Sequence, residues 1–93
     1  MAVTTTTVLL SLDEQRMIPD LQAAAKKLDG AEGEAVLDFS SVRRIDASAL
    51  RVLEEFARIA DEKACKVVLR GVNVDVYKVL KLVKLTRRFS FVN

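Results

Sequence analysis

The 93-residue sequence contains no histidine and no tryptophan, and only one cysteine, one proline and three glycines. Without histidine it lacks the commonest metal ligand and the usual general base near neutral pH. A Cys/His zinc site and a Ser-His-Asp triad are thereby excluded by inventory. The single thiol, Cys65, cannot close an intrachain disulfide, which fits a reducing compartment. It lies in A-C-K-V-V, at the entry to an apolar run, and reads as a small buried hydrophobe. The opening M-A-V-T-T-T-T-V-L-L has neither a basic region nor a small-residue cleavage pattern, so no signal peptide is expected. No apolar segment approaches the ~20 residues of a membrane span. A cytoplasmic protein is the expectation. No glycine-rich loop is present to cradle a phosphate, and no cofactor or metal site is expected. Asp38 and Asp46 are the obvious pair of carboxylates for acid–base chemistry, but Asp46 already has a helix to cap.

About half of the residues are apolar, enough for one modest core, and the length favours one small domain over residues 1–93, with residues 1–3 fraying. The net charge of +2 is unevenly spread. Residues 1–65 carry 8 basic and 12 acidic side chains, whereas residues 66–93 carry 7 basic side chains against Asp75 alone. Such asymmetry suits an acidic partner, a phosphate or an anionic surface, although a solvated helix face also accounts for it. Tyr77, Phe89 and Phe91 lie in the basic segment, but no nucleic-acid-binding motif surrounds them, and no nucleic acid is expected.

Thr4–Leu10 is rich in β-branched residues and reads as a strand. Ser11 and Glu14 then have the spacing of a capping box. An interior proline would break a helix started there, so the regular helix is expected from Pro19, as a first-turn proline, through D-L-Q-A-A-A-K-K-L. D-G-A-E-G closes it. Ala35–Phe39 is a short apolar run suited to a strand buried on both faces. Ala47–Glu62 is the clearest helix. Leu50, Leu53, Ala57 and Ala60 form one stripe, widened by Val52, Phe56 and Ile59. Arg51–Glu55 and Glu54–Arg58 are spaced for ion pairs on its outer face. Lys66–Leu69 makes a third buried strand, ended by Gly71. The next segment alternates like a strand at first, yet Val76, Val79, Leu80 and Val83 keep helical spacing. Asn73 as an N-cap, with lysines at 78, 81 and 84, favours a helix. R-R-F-S-F-V supplies a fourth strand. The order βαβαβαβ predicts an α/β fold, a mostly parallel sheet of about four strands packed with helices.

Residues 45–50, I-D-A-S-A-L, stand where a strand hands over to the long helix. Asp46 is placed to cap that helix, and Ser48 falls in its first turn, near the loop S-S-V-R-R. A phosphate on Ser48 would add almost two negative charges at the positive end of the helix dipole, where a helix tolerates them. The charge and shape of a surface would change while the fold persisted. The plain alternative is that Ser48 is only a favourable first-turn residue.

The stretch A-V-L-D-F-S-S-V-R-R-I-D-A-S-A-L-R-V-L resembles the signature of STAS domains, the anti-sigma-factor antagonists and their relatives. In that signature an apolar strand, an Asp, a short loop and an apolar residue lead into D-S-S-G-L opening a helix. K-V-V-L-R-G-V-N and V-Y-K-V-L-K-L-V-K-L-T-R-R-F continue the likeness, which spans residues 34–93. Ser48 falls on the second Ser of the motif, the phosphorylated residue of the family. Asp46 and Asp38 fall on its two aspartates, while Ala47 and Ala49 replace the first Ser and the Gly. The resemblance implies a STAS-like fold and a partner-switching regulator that is not an enzyme. Its partners would be an anti-sigma factor serine kinase of the GHKL type and a metal-dependent serine phosphatase. The docking surface would comprise Asp38, Arg43, Arg44, Ile45, Asp46, Ala47, Ser48, Ala49 and Arg51. The same resemblance allows a second role, a constitutive accessory subunit of a phospholipid ABC transporter or an anion transporter.

Overall fold

The computed structural model describes residues 7–28 and 33–92. The fraying expected at residues 1–3, the first residues of the expected opening strand and most of the D-G-A-E-G loop lie outside them. The described elements run β1 (Thr7–Asp13), α1 (Met17–Lys27), β2 (Glu34–Ser41), α2 (Ala47–Glu62), β3 (Lys66–Arg70), α3 (Val74–Leu82) and β4 (Ser90–Val92). The four strands form one sheet in the order β1-β2-β3-β4, and every pairing is parallel.

That order decides where the core lies. Successive right-handed crossovers, each stepping to the next strand, place all the connecting helices on the same side of the sheet. The buried residues agree. Ala35, Leu37 and Phe39 of β2 and Val67 and Leu69 of β3 share one face by their two-residue period. They belong to a single core with Leu21 and Ala24 of α1, Leu53 and Phe56 of α2, and Val76 and Leu80 of α3. The expectation that β2 is buried on both faces is therefore corrected. Glu34, Val36 and Asp38 point to the opposite face and are only half-buried, because no helix among the described residues covers it.

Two further expectations change at α1. Ser11 is not a helix cap but part of β1, which continues to Asp13. The turn into the helix is held instead by the Asp13 carboxylate, which accepts from the Gln15 and Arg16 amides at 3.0 and 2.8 Å. The helix begins at Met17 rather than Pro19. Pro19 is the third helical residue, and the first i→i−4 bond is donated by the next amide, Asp20 N–H to Arg16 O. Its missing N–H is one of the four at a helix start that have no intrahelical partner, so the proline costs no intrahelical hydrogen bond.

On α2, Leu53, Phe56, Ala57 and Ala60 are buried as the stripe required, whereas the expected ion pairs are replaced. Arg58 pairs with Glu55 one turn before it and with Glu62 at 2.5 Å, not with Glu54. Both pairs are solvent-exposed and contribute little to stability. Gly71 follows β3 with φ +70°, a conformation that favours glycine. A Cβ there would also stand 2.5 Å from the Ser40 Oγ of the neighbouring strand end. Asn73 caps α3 as expected, accepting from the Val76 amide at 2.8 Å.

Candidate functional site

The C-terminal ends of β2 and β3 and the first turns of α2 and α3 meet at one end of the sheet. The connection from Ser41 to α2 is short, and its residues divide by direction. Val42 is buried and Ile45 packs against the core, while Arg43 and Arg44 are exposed. Asp46 then stops the extended chain and starts the helix. Its carboxylate accepts from the Ala49 amide at 2.8 Å, and its carbonyl accepts the first helical bond from the Leu50 amide at 2.9 Å. With Asp46 fixed, Ala47 and Ser48 become the first two helical residues, and both are exposed.

Ser48 thus projects from a rigid helix start, and its hydroxyl makes no hydrogen bond among the described residues. Arg51 lies one turn on, at i+3, on the same exposed side. Arg43, Arg44 and Arg51 are three exposed cationic side chains within a few residues of Ser48 in the chain. Ala49 turns the other way, and its methyl is buried in the core. It serves the patch through its amide, which holds Asp46.

Asp38 is not brought into this patch. It faces the open side of the sheet, where its carboxylate accepts from the Ser40 hydroxyl at 2.5 Å and the Ser40 amide at 2.9 Å. These two bonds hold its carboxyl below the usual carboxylate range, the hydroxyl contributing most and the Arg70 charge adding to them against a small burial penalty. Asp38 therefore shapes the end of β2, and it shares no partner with Asp46.

Two contributors escaped the sequence reading. Asn73 caps α3 with its carbonyl oxygen, and its Nδ2 also donates to Val42 O and Arg43 O, each at 3.2 Å. One side chain thus fastens the loop before Ser48 to the start of α3. Its capping role was legible from local spacing, but a contact 30 residues away in the chain leaves no such signal. The second contributor is the β1–α1 turn. Glu14, Gln15 and Ile18 face Arg44 and Asp46 across a surface cleft, so the patch is flanked by an acidic and polar lip.

The fold has counterparts among known proteins. A family model described as Mlab, STAS domain, matches residues 7–92. Among curated proteins none matches the sequence. Among solved structures, the chain is similar to a Thermotoga maritima protein described as a candidate anti-sigma factor antagonist. The two share 19% identity over 97% of this chain and 83% of the other, with a TM-score of 0.75. An NMR structure of the same protein gives 20% identity over 99% and 78%, with the same TM-score. A STAS domain protein from Planctomyces limnophilus is 15% identical over 94% and 80%, with a TM-score of 0.71.

Proposed function

The chain belongs to the STAS domain family, and we propose that it is an anti-sigma-factor antagonist acting by partner switching. In this reading it is a cytoplasmic, non-enzymatic binding domain spanning residues 1–93. Unmodified, it docks an anti-sigma factor serine kinase of the GHKL type through Arg43, Arg44, Ile45, Ala47, Ser48 and Arg51. The kinase phosphorylates Ser48, and a metal-dependent serine phosphatase reverses the step. The observation that carries the reading is Ser48 itself, exposed in the first turn of a helix whose start is clamped by Asp46.

The physical consequence of modification is confined to the surface. A phosphate there gains from the helix dipole and from Arg51 one turn on, so α2 has no reason to melt. What changes is a patch of arginines and a hydroxyl, which becomes a patch neutralised by a bulky dianion. A partner complementary to the first is expelled by lost charge complementarity and by the cost of desolvating the phosphate. The test is phosphate mapping on the chain isolated from its own cells, with and without phosphatase treatment. Phosphate on Ser48 that disappears on treatment is expected. A chain that never carries it under any growth condition contradicts the switch.

The alanines at positions 47 and 49 favour one other reading, a constitutive accessory subunit of a transport system. The same surface would then dock a transporter subunit without being modified, and the mapping experiment would return unmodified chain.

A further inference from the structure

Helix α3 carries apolar residues on its inner face and on its outer face. Val76 and Leu80 are buried in the core. On the opposite side, Val74, Lys78, Lys81 and Leu82 follow the i, i+4, i+7, i+8 pattern of a single stripe. Val74 is 67% exposed and Leu82 is 81% exposed, so these are large apolar side chains standing in water. They bracket the two lysines along about 12 Å of helix, at 1.5 Å per residue. Lys84, exposed in the turn after α3, and exposed Arg87 extend the positive charge, and Asp75 is the one acidic residue of the segment. No ion pair or hydrogen bond among the described residues engages the side chains of Lys78, Lys81 or Lys84.

We infer that the outer face of α3 is a docking surface for an anionic phospholipid bilayer, with Val74 and Leu82 inserted and the lysines at headgroup level. Three features favour a bilayer over a protein. First, a lysine-rich face is unlike a protein interface, where arginine is enriched and lysine is depleted. Second, interleaved lysine and leucine are what an interfacial helix presents, the lysine stems lying along apolar surface while their ammonium groups reach phosphate oxygens. Third, Val74 and Leu82 stand out from the face with most of their surface in water, so the α3 face offers protruding apolar side chains suited to insertion. The surface accounts for four of the seven basic residues after residue 65, Lys78, Lys81, Lys84 and Arg87, which the Ser48 patch does not use. It stands whether or not Ser48 is phosphorylated.

The test is co-sedimentation of the full chain with large vesicles, either pure phosphatidylcholine or containing about one-third phosphatidylglycerol. Binding to the anionic vesicles, weakened by salt and absent with the neutral ones, is expected. Replacing Lys78 and Lys81 together by Gln should weaken it about twenty-five-fold, about fivefold for each charge near the surface. Leu82→Ser should weaken it several-fold while leaving its salt dependence in place. Lys26→Gln with Lys27→Gln, an equal charge loss on α1, should leave it unchanged. All these positions are exposed, so thermal unfolding should be unaffected and loss of fold is not at issue. The inference is overturned if the chain stays in solution with anionic vesicles, or if it binds neutral ones equally. It is overturned too if the α1 variant loses as much as the α3 variant. Binding to soluble polyglutamate through Lys78 and Lys81, with none to vesicles, would assign the face to an acidic macromolecule instead.

Discussion

Ser40 has two tasks at the end of β2. Its hydroxyl and amide hold the Asp38 carboxylate, and its Oγ and backbone occupy the space that any side chain at position 71 would need. Because the folded state depresses the Asp38 pKa, the stabilisation is complete above the ordinary carboxylate value of about 3.9. It is lost as pH falls through the lower folded-state value. Ser40→Ala removes the largest cause, so the Asp38 carboxyl should titrate closer to its ordinary value, and the acid loss of stability should shrink. Carboxyl NMR titration of both proteins checks this, and identical Asp38 curves would contradict it. Asn73 carries more. Asn73→Ala removes a helix cap and two bonds to the loop, with an expected cost of about 2 kcal/mol in urea unfolding. Amide exchange should quicken across residues 43–46 as well as at Val76, which loss of a cap alone would not produce. Cys65 offers a contrast, since burial pushes its thiol pKa up and it should resist thiol reagents until the chain unfolds.

Helices α2 and α3 end in the same way, and neither uses glycine. Beyond α2, Cys65 N–H bonds to Ala60 O and Ala64 N–H to Asp61 O; beyond α3, Leu85 N–H bonds to Leu80 O and Lys84 N–H to Lys81 O. Each is a paired C-terminal cap with the residue after the C-cap in the left-handed region, Ala64 at φ 55° and Lys84 at φ 62°. That conformation is strained for an L-residue and not for glycine, although glycine loses more chain entropy on folding. Ala64→Gly and Lys84→Gly should therefore each stabilise the protein by about 0.5–1 kcal/mol. Thermal melts of the two variants check this, and a lower midpoint would contradict it. The helices also differ in how far their bounds were legible in the sequence. Those of α2 followed from its apolar stripe and from Asp46, because cap and stripe are local signals. The start of α1 did not. Its N-cap is Arg16, which makes no side-chain cap, and the turn is held by Asp13 from the end of the preceding strand.

For the whole molecule, the alternation of four strands and three helices was readable, and so was the strand end from which the helix bearing Ser48 starts. The one-sided sheet was not, because a short apolar run such as Ala35–Phe39 looks the same whether one or both faces are covered. Only the strand order, set by crossovers between distant segments, distinguishes the two. The patch around Ser48 was half legible for a related reason. Residues 43–51 are contiguous in sequence, whereas Asn73 and the β1–α1 turn reach them only through the fold. Under the proposed function, the molecule is a scaffold whose Ser48, at a helix start, changes charge on phosphorylation while the fold persists. The most direct measurement is affinity capture from the native cell with tagged wild type, Ser48→Ala and Ser48→Asp, the captured partners identified by mass spectrometry and the baits matched for circular dichroism. A serine kinase of the GHKL type retained by wild type and Ser48→Ala, and lost by Ser48→Asp with the fold intact, is the predicted result. The same partners in the same amounts on all three baits would contradict it, and Ser48 would then be only the first turn of a helix.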